Sequence, residues 1–239
     1  MALRELPPAV LNDLKQLDSC ALANAIERFD VRLRNRGFTG SGIQCLFPDL
    51  PPIAGYAATL RVRTAEPPME GHSYYYRLDW LEHVLSIPSP SILVVQDLDN
   101  PSGLGSFVGD VHANILQALH CVGLITNGAV RNLREVRALG FQMYAGGVSV
   151  SHAFAHVVDF GKPVEVRHME VRPGDLIFGD LHGTLTIPLE IAERVAGVAR
   201  EMKDQERGII ELCKAPEFSI AKLRAEVSAL EQKRKVIGR

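Results

Sequence analysis

The chain has 239 residues, 46% of them hydrophobic and 23% charged, with a formal net charge of −2 at pH 7. That composition supplies a full core for one large domain, and its near-neutral balance excludes a strong electrostatic pull toward nucleic acid. No stretch approaches the roughly 18 apolar residues of a membrane span, and Met1 to Asp13 lacks the basic-then-apolar pattern of a signal peptide.

In chain order, Pro8 to Phe29 reads as helix. Ser19 is able to cap a fresh start, and Leu22, Ala25, Ile26 and Phe29 recur at helical spacing. Residues 30–54 are irregular, with Gly37, Gly40, Gly42 and the pair Pro51-Pro52. Ala58 to Arg63 alternates apolar and polar, the pattern of a half-buried strand. Tyr74-Tyr75-Tyr76, with Trp80 nearby, concentrates aromatics that suit a core or an interface better than a pocket. Ser91 to Gln96 is a short apolar run, expected to be a strand buried on both faces. Residues 101–106 form a glycine-rich loop, and Val108, Val111, Ile115, Leu116 and Leu119 follow at helical spacing. Gly123 to Thr126 reads as a buried strand, Asn127-Gly128 as a turn, Leu133 to Leu139 as a helix and Phe141 to Ala145 as a strand. Such alternation argues for an α/β layer architecture.

After Gly161 the pattern becomes β-rich. Val164 to Val171 reads as paired strands, and Arg172 to Asp175 as a tight turn. Leu176 to Phe178 and Thr184 to Ile187 read as strands joined through Asp180 to Gly183. A helix is expected from Pro188 to about Arg207. The segment from Pro216 to Arg239 is polar and helical, with Ile220, Leu223, Val227 and Leu230 in 3-4-3 spacing. Two heptads are too few for a free coiled coil, so docking on the same domain or on a neighbouring subunit is expected. The expected organisation is an α/β domain over residues 1–207 and a helical tail over 208–239.

Several groups could carry chemistry. Arg131 and Asn132 follow a buried strand and precede a helix, where ligands of open α/β sheets collect. An arginine fork there suits a carboxylate, although Arg131 could equally pair with Glu135 on the surface. The loop from Gly103 to Asp110 opens onto a helix whose first N–H groups can bind an anion. It is no dinucleotide fingerprint, because Val108 stands where GxGxxG needs glycine, and no Gly-Lys-Ser/Thr follows. His152 and His156 have the spacing of a helical metal pair, but Gly146-Gly147 argues against a helix. His112, on the first turn after the glycine loop, and His182, in a turn, could face a ligand, whereas His120 stands too far along the helix to share a metal with His112. Asp97, Asp99, Asp110 and Asp180 fall at strand ends or loops. They suit either a hard cation or ordinary turn chemistry, and Asp110 stands out by its place beside the glycine loop. Cys20, Cys45, Cys121 and Cys213 form no CxxC pair, which argues against disulfides and structural zinc and suits a reducing cytoplasm.

Taken together, Gly109-Asp110, the segment Gly123 to Asn132, Arg137-Ala-Leu-Gly-Phe141, Val171 to Asp175, Gly179-Asp180, Gly183 and Ile187-Pro188 resemble the regulator-of-ribonuclease-activity-A-like (RraA-like) family. Ser19 to Asp30 and Ile53 to Val62 fit as well, so the resemblance spans roughly residues 15–200. It implies an α/β, layered β/β/α swivelling-domain-like fold with a C-terminal helical extension, assembled as a homotrimer or hexamer with sites between subunits. It also implies a metal-assisted carbon–carbon lyase, an aldolase or decarboxylase that releases pyruvate from a small 2-oxo acid such as a 4-hydroxy-2-oxo dicarboxylate, with Mg²⁺ or Mn²⁺. Other members of the family are non-enzymatic inhibitors of ribonuclease E, so a catalytically inactive binding or regulatory protein is the alternative. By the resemblance, Arg131 holds substrate and offsets enolate charge. Gly109, Asp110, Val111 and His112 match the family's cradle for the pyruvate carboxylate. A base must also take the proton from the 4-hydroxyl, and Asp110 or His112 could serve, directly or through water. Asn132 stands where the aldolases anchor the metal with aspartate, and Asn127 also replaces an aspartate. Two formal negative charges are thereby missing, which lowers the expected metal affinity.

Overall fold

The computed structural model describes residues 4–68 and 78–237, with side chains as far as Leu230. Tyr74 to Tyr76 lie outside the described residues; Trp80, only 2% exposed, is part of the core. The elements in order are α1 (Pro8–Leu14), α2 (Ser19–Glu27), β1 (Gln44–Cys45), β2 (Ile53–Arg63), α3 (Asp79–Ser86), β3 (Ser91–Asp97), β4 (Ser106–Val108), α4 (Asp110–Ala118) and β5 (Cys121–Val130). There follow α5 (Leu133–Ala138), β6 (Gln142–Val148), β7 (His156–Phe160), β8 (Val164–Val166), β9 (Met169–Val171), β10 (Leu176–Asp180), β11 (Gly183–Ile187), α6 (Ala192–Lys214) and α7 (Ile220–Ile237).

One sheet runs β1-β6-β5-β3-β2-β10-β11, with β4 added to β5 and β7 to β2. The central pairs β2/β3, β3/β5 and β5/β6 are parallel. They are linked through α3, through β4 and α4, and through α5, as parallel neighbours require. Antiparallel β10 and β11 finish one side. The sheet curls strongly: Gly179 of β10 lies against the ring of Tyr144 on β6, four places away in strand order, and a Cβ there would stand 2.8 Å from the phenol oxygen.

Two apolar layers fill the two faces. One combines Ile92, Val94 and Ile125 of the sheet with Val164, Val166, Met169 and Val171 of the separate β8–β9 hairpin. The other sets Leu60, Leu93 and Leu124 under Leu14, Leu22, Ala113, Leu116 and Val195 from the helices. Hairpin, sheet and helices give the expected β/β/α layering. Each fully buried leucine in it contributes about 1.5–3 kcal/mol of transfer free energy.

Several local expectations are corrected. β2 starts at Ile53 and is buried on both faces up to Leu60, not half-buried. Arg61 is absorbed by a two-point ion pair with Asp159 of β7, and the main-chain N–H of Thr59 donates to His83 Nε2 at 3.3 Å. The cap of α2 is Asp18, whose carboxylate accepts the Ala21 N–H at 2.7 Å. Ser19 is the first helical residue, and its N–H and hydroxyl both donate to buried Asp180 at 2.8 Å. Asn127-Gly128 is no turn: β5 runs through it with a shift of register between Thr126 and Ala129. The helix expected from Pro188 begins at Ala192 and continues past Arg207 to Lys214. α7 then folds back on α6, bringing the Glu226 carboxylate against Gly208. Of its 3-4-3 residues Leu230 is buried, while Ile220 is 62% exposed. Among the described residues no helix is long and apolar enough to cross a membrane.

Candidate functional site

The parallel strands direct their carboxyl ends to one edge, and there the sheet changes hands. β3 pairs with β5 as far as Val95 opposite Thr126. Beyond that point β4 takes its place, with Ser106 opposite Ala129 and Val108 opposite Val130. Between the two lies the glycine loop. Asp97, 4% exposed, ends β3 and receives the Asp99 N–H on Oδ1 at 3.0 Å and the Gly103 N–H on Oδ2 at 2.7 Å. Burial pushes its carboxyl above the usual range, while those two N–H bonds pull the other way. The Asn127 amide accepts the Asp97 N–H at 2.7 Å and donates to the Asp97 carbonyl at 2.8 Å. That grip substitutes for ladder bonds where β5 shifts register, which is why an Asn-Gly pair sits inside a strand.

The loop is fixed on its other flank by residues 149–155. Ser106 N–H donates to Ser151 O at 2.9 Å, and the Ser149 hydroxyl donates to Leu104 O at 3.0 Å. At Gly105 a Cβ would stand 2.5 Å from His152 O, so only glycine fits. Gly103 adopts φ +90°, a left-handed conformation that favours glycine.

β4 then delivers Gly109, the N-cap of α4, where no side-chain cap bond is made. Directly on it lie Arg131 and Asn132. A Cβ at Gly109 would come to 2.6 Å from Asn132 Oδ1 and 3.1 Å from Arg131 Nε. Arg131 is half-buried; its main-chain N–H donates to Val108 O at 3.2 Å, and its Nε is buried without a hydrogen-bond partner among the described residues. Asn132 holds a left-handed conformation (φ 57°, ψ 42°), which asparagine tolerates better than aspartate's bulkier neighbours in the alphabet of side chains do. The result is a notch with a guanidinium on one wall, the positive end of α4 on the other and the partly exposed Asp110 at its lip.

The structure thus brings Gly109, Asp110, Arg131 and Asn132 together. Val111 follows on the first turn with its side chain 55% exposed. His112 turns away: it is 8% exposed, stacks on Phe107 at 5.2 Å and leans on Trp80 at 5.8 Å. Burial, with a lesser push from Arg131, drops its pKa to about 4 against the opposing hydrogen bond with the Phe107 backbone. An imidazole so placed is neutral and enclosed, not the ligand-facing base the sequence allows.

The remaining candidates are spoken for by structure. Asp99 Oδ2 accepts the N–H groups of Thr64 at 2.6 Å and Ala65 at 2.8 Å, and its Oδ1 pairs with Arg63 at 3.1 Å. Asp180 anchors Ser19 and accepts the His182 N–H at 2.9 Å. His120 is exposed at the turn before β5. His152 and His156 share no helix, and each Nδ1 meets a backbone oxygen, of Ala153 at 3.0 Å and of Phe154 at 2.7 Å. Among the described residues no group of three or more His, Cys, Asp or Glu side chains could hold a metal. At the notch itself, the amide oxygen of Asn132 lies against Gly109 beside a guanidinium. A neutral oxygen next to a permanent cation is a poor donor set for a hard dication, so these residues do not fit a protein-held Mg²⁺ or Mn²⁺.

Large apolar side chains stand exposed on the segments framing the notch: Leu104 at 61%, Val148 at 56%, Val150 at 97% and Phe154 at 54%. Sequence reasoning missed both this rim and the Asp97–Asn127 clasp. The readable signal for the clasp was an aspartate closing a fully apolar strand.

The family model described as RraA-like, aldolase/RraA, matches residues 19–186. A Halalkalibacterium halodurans protein named "Putative 4-hydroxy-4-methyl-2-oxoglutarate aldolase" is 28% identical over 97 residues, 40% of this chain and 46% of that protein. Protein DlpA of Legionella pneumophila is 24% identical over 146 residues, 60% of this chain and 22% of its own. The chain therefore spans less than half the length of these curated relatives. Among solved structures, an uncharacterized protein of Pseudomonas syringae pv. tomato superposes with a TM-score of 0.72 at 20% identity, covering 94% of this chain and 97% of that one. Streptomyces coelicolor RraAS2, titled an unusual member of the RNase ES inhibitor RraA protein family, gives 0.67 at 20% identity, covering 85% and 96%. At that identity the two structures support the fold.

Proposed function

The chain belongs to the RraA-like family, and on that premise we propose that it is a carbon–carbon lyase for a small 2-oxo acid, an aldolase or decarboxylase that releases pyruvate. The observation that carries this reading is the placement of Arg131 against Gly109 at the start of α4, which among the described residues has no side-chain cap. A substrate carboxylate there meets a planar cation and backbone N–H groups together. In a 4-hydroxy-2-oxo acid, Asp110 takes the proton from the 4-hydroxyl. The C3–C4 bond breaks, its electron pair becomes the enolate of pyruvate, and the 4-oxygen leaves as a carbonyl. C3 then takes back a proton. Arg131 stabilises the developing oxyanion, while the α4 amides hold the carboxylate. The family resemblance implies Mg²⁺ or Mn²⁺, but Asn132 does not make a site for one and no step is assigned to a cation. The exposed rim of Leu104, Val148, Val150 and Phe154 supports a homotrimer or hexamer with the notch near a subunit boundary, and a cytoplasmic setting suits the scattered free cysteines.

The test is pyruvate release from oxaloacetate and from 4-hydroxy-4-methyl-2-oxoglutarate, with added Mg²⁺ or Mn²⁺ and with a chelator. Arg131→Ala is expected to cost on the order of 10²–10³ in kcat, as loss of an oxyanion donor does. Asn132 favours one second reading, a binding or regulatory protein on a retired aldolase scaffold. Silence in the wild type with metal-dependent activity gained in Asn132→Asp would establish that reading and end the first.

A further inference from the structure

A carboxylate that never reaches the notch controls its shape. Asp97 is buried at the end of β3, and both its oxygens are spent on the loop, one on Asp99 N–H and one on Gly103 N–H. The main chain of the same residue is gripped on both sides by the Asn127 amide. The Ser102 hydroxyl closes the circuit by donating to Asn127 O at 3.0 Å. Gly128 lies against the carboxylate, where a Cβ would stand 3.1 Å from Oδ2.

A buried carboxylate is expensive, and stability alone would favour an apolar residue at the end of so apolar a strand. What Asp97 holds is the turn from 98 to 103. From that turn the chain passes through β4 directly into Gly109 and the first turn of α4. Displacement of Gly103 would be transmitted along β4, because the short strand is held to β5 by just two pairs among the described residues, Ser106 with Ala129 and Val108 with Val130. Resting on the lyase reading above, we propose that Asp97, clasped by Asn127, is a positioning residue that fixes the glycine loop so that the α4 amides meet the substrate carboxylate beside Arg131. It touches no reacting atom. Its loss therefore weakens the grip on the carboxylate and leaves the chemistry of Arg131 in place.

The experiment compares wild type, Asp97→Asn, Asp97→Ala and Asn127→Ala, with Asp175→Asn as a control. Asp175 is another carboxylate holding a turn, accepting the Arg172 N–H at 2.8 Å in the connection from β9 to β10. Three quantities are read: amide hydrogen exchange over residues 98–109, the affinity for oxalate by calorimetry, and KM and kcat for oxaloacetate. Asp97→Ala is expected to speed exchange in the loop and to weaken oxalate affinity and raise KM about tenfold, the equivalent of about one hydrogen bond, with kcat held within about threefold. Asp97→Asn keeps one acceptor oxygen and falls between. Asn127→Ala moves the same quantities the same way, which covers the case of an Asp97→Ala chain that does not fold. Asp175→Asn leaves loop exchange and KM unmoved. Unchanged exchange and affinity in the Asp97 and Asn127 variants would overturn the proposal, and so would a fall in kcat at constant KM or an equal response in Asp175→Asn. A wild type that releases no pyruvate sinks the lyase reading alone; oxalate affinity and loop exchange still decide for or against Asp97.

Discussion

At Gly109 one missing methyl group makes room for the stem of Arg131 and the amide of Asn132. Gly109→Ala is therefore expected to displace Arg131 and to lower oxalate affinity and pyruvate release together, while circular dichroism stays native. Retained affinity in that variant would show that the contact is slack. His112 makes a different demand. Unfolded, its imidazole takes a proton near pH 6.5; folded, it refuses one until about pH 4. Stability is thus full above the unfolded value and is lost as pH falls through this window, on the order of a few kcal/mol. His83, also depressed by burial, adds in the same direction. Urea unfolding at pH 7 and pH 4.5 should show the loss, and His112→Phe should flatten it. An unchanged slope in that variant would remove the assignment. The places of Arg131 and Asp110 between a strand and a helix were legible in the sequence because strand and helix signals flank them. The inward turn of His112 was not, because Phe107 and Trp80 decide it and only folding brings Trp80 there.

Among the elements, β5 best separates local from tertiary causes. Asn-Gly is a turn signal by its own preferences, yet the strand continues because the Asn127 side chain bonds to β3 on both donor and acceptor sides. An aspartate there would lose the donor to Asp97 O and set a second negative charge beside a buried carboxylate. Asn127→Asp is expected to cost about 2–3 kcal/mol, measured by chemical denaturation, with partial recovery at low pH. A cost below that of an ordinary surface change would mean that the clasp is ornamental. The α2 cap was displaced by one residue in the sequence reading for a related reason. Asp18 and Ser19 are equally good caps by residue type, but Asp180, far along the chain, claims the N–H and hydroxyl of Ser19. Asp18→Ala should cost about 1 kcal/mol, read from the thermal midpoint. β3, by contrast, was legible outright, since an unbroken apolar run has no other use in a parallel sheet.

For the molecule as a whole, the layered α/β plan follows from alternating strand and helix signals, and the candidate site stands at the carboxyl ends of parallel strands, where such a plan collects ligands. The exit of the chain was less legible. α6 is one continuous 23-residue helix that crosses the boundary expected near Arg207, because nothing in its sequence stops a helix before Ala215. α7 returns along it, and among its described side chains Leu230 is the one that is buried. Truncation after Ala215 should therefore remove about 2 kcal/mol and lower the melting temperature by roughly 4–8 °C for a chain of this size. A far larger drop would mean that the hairpin is part of the main folding unit.

The notch is walled largely by main chain. Gly103, Gly105 and Gly109 permit it, and hydrogen bonds from Ser106, Ser149 and Arg131 lace it to its neighbours through backbone oxygens. The side chains of Leu104, Val111, Val148 and Val150 stand outside that lacing and are exposed. Within the single chain each can therefore be exchanged at little cost in stability, while the main-chain wall of the notch stays as it is. Substitutions on the rim would thus alter what surrounds a bound group without touching the backbone proposed to hold it.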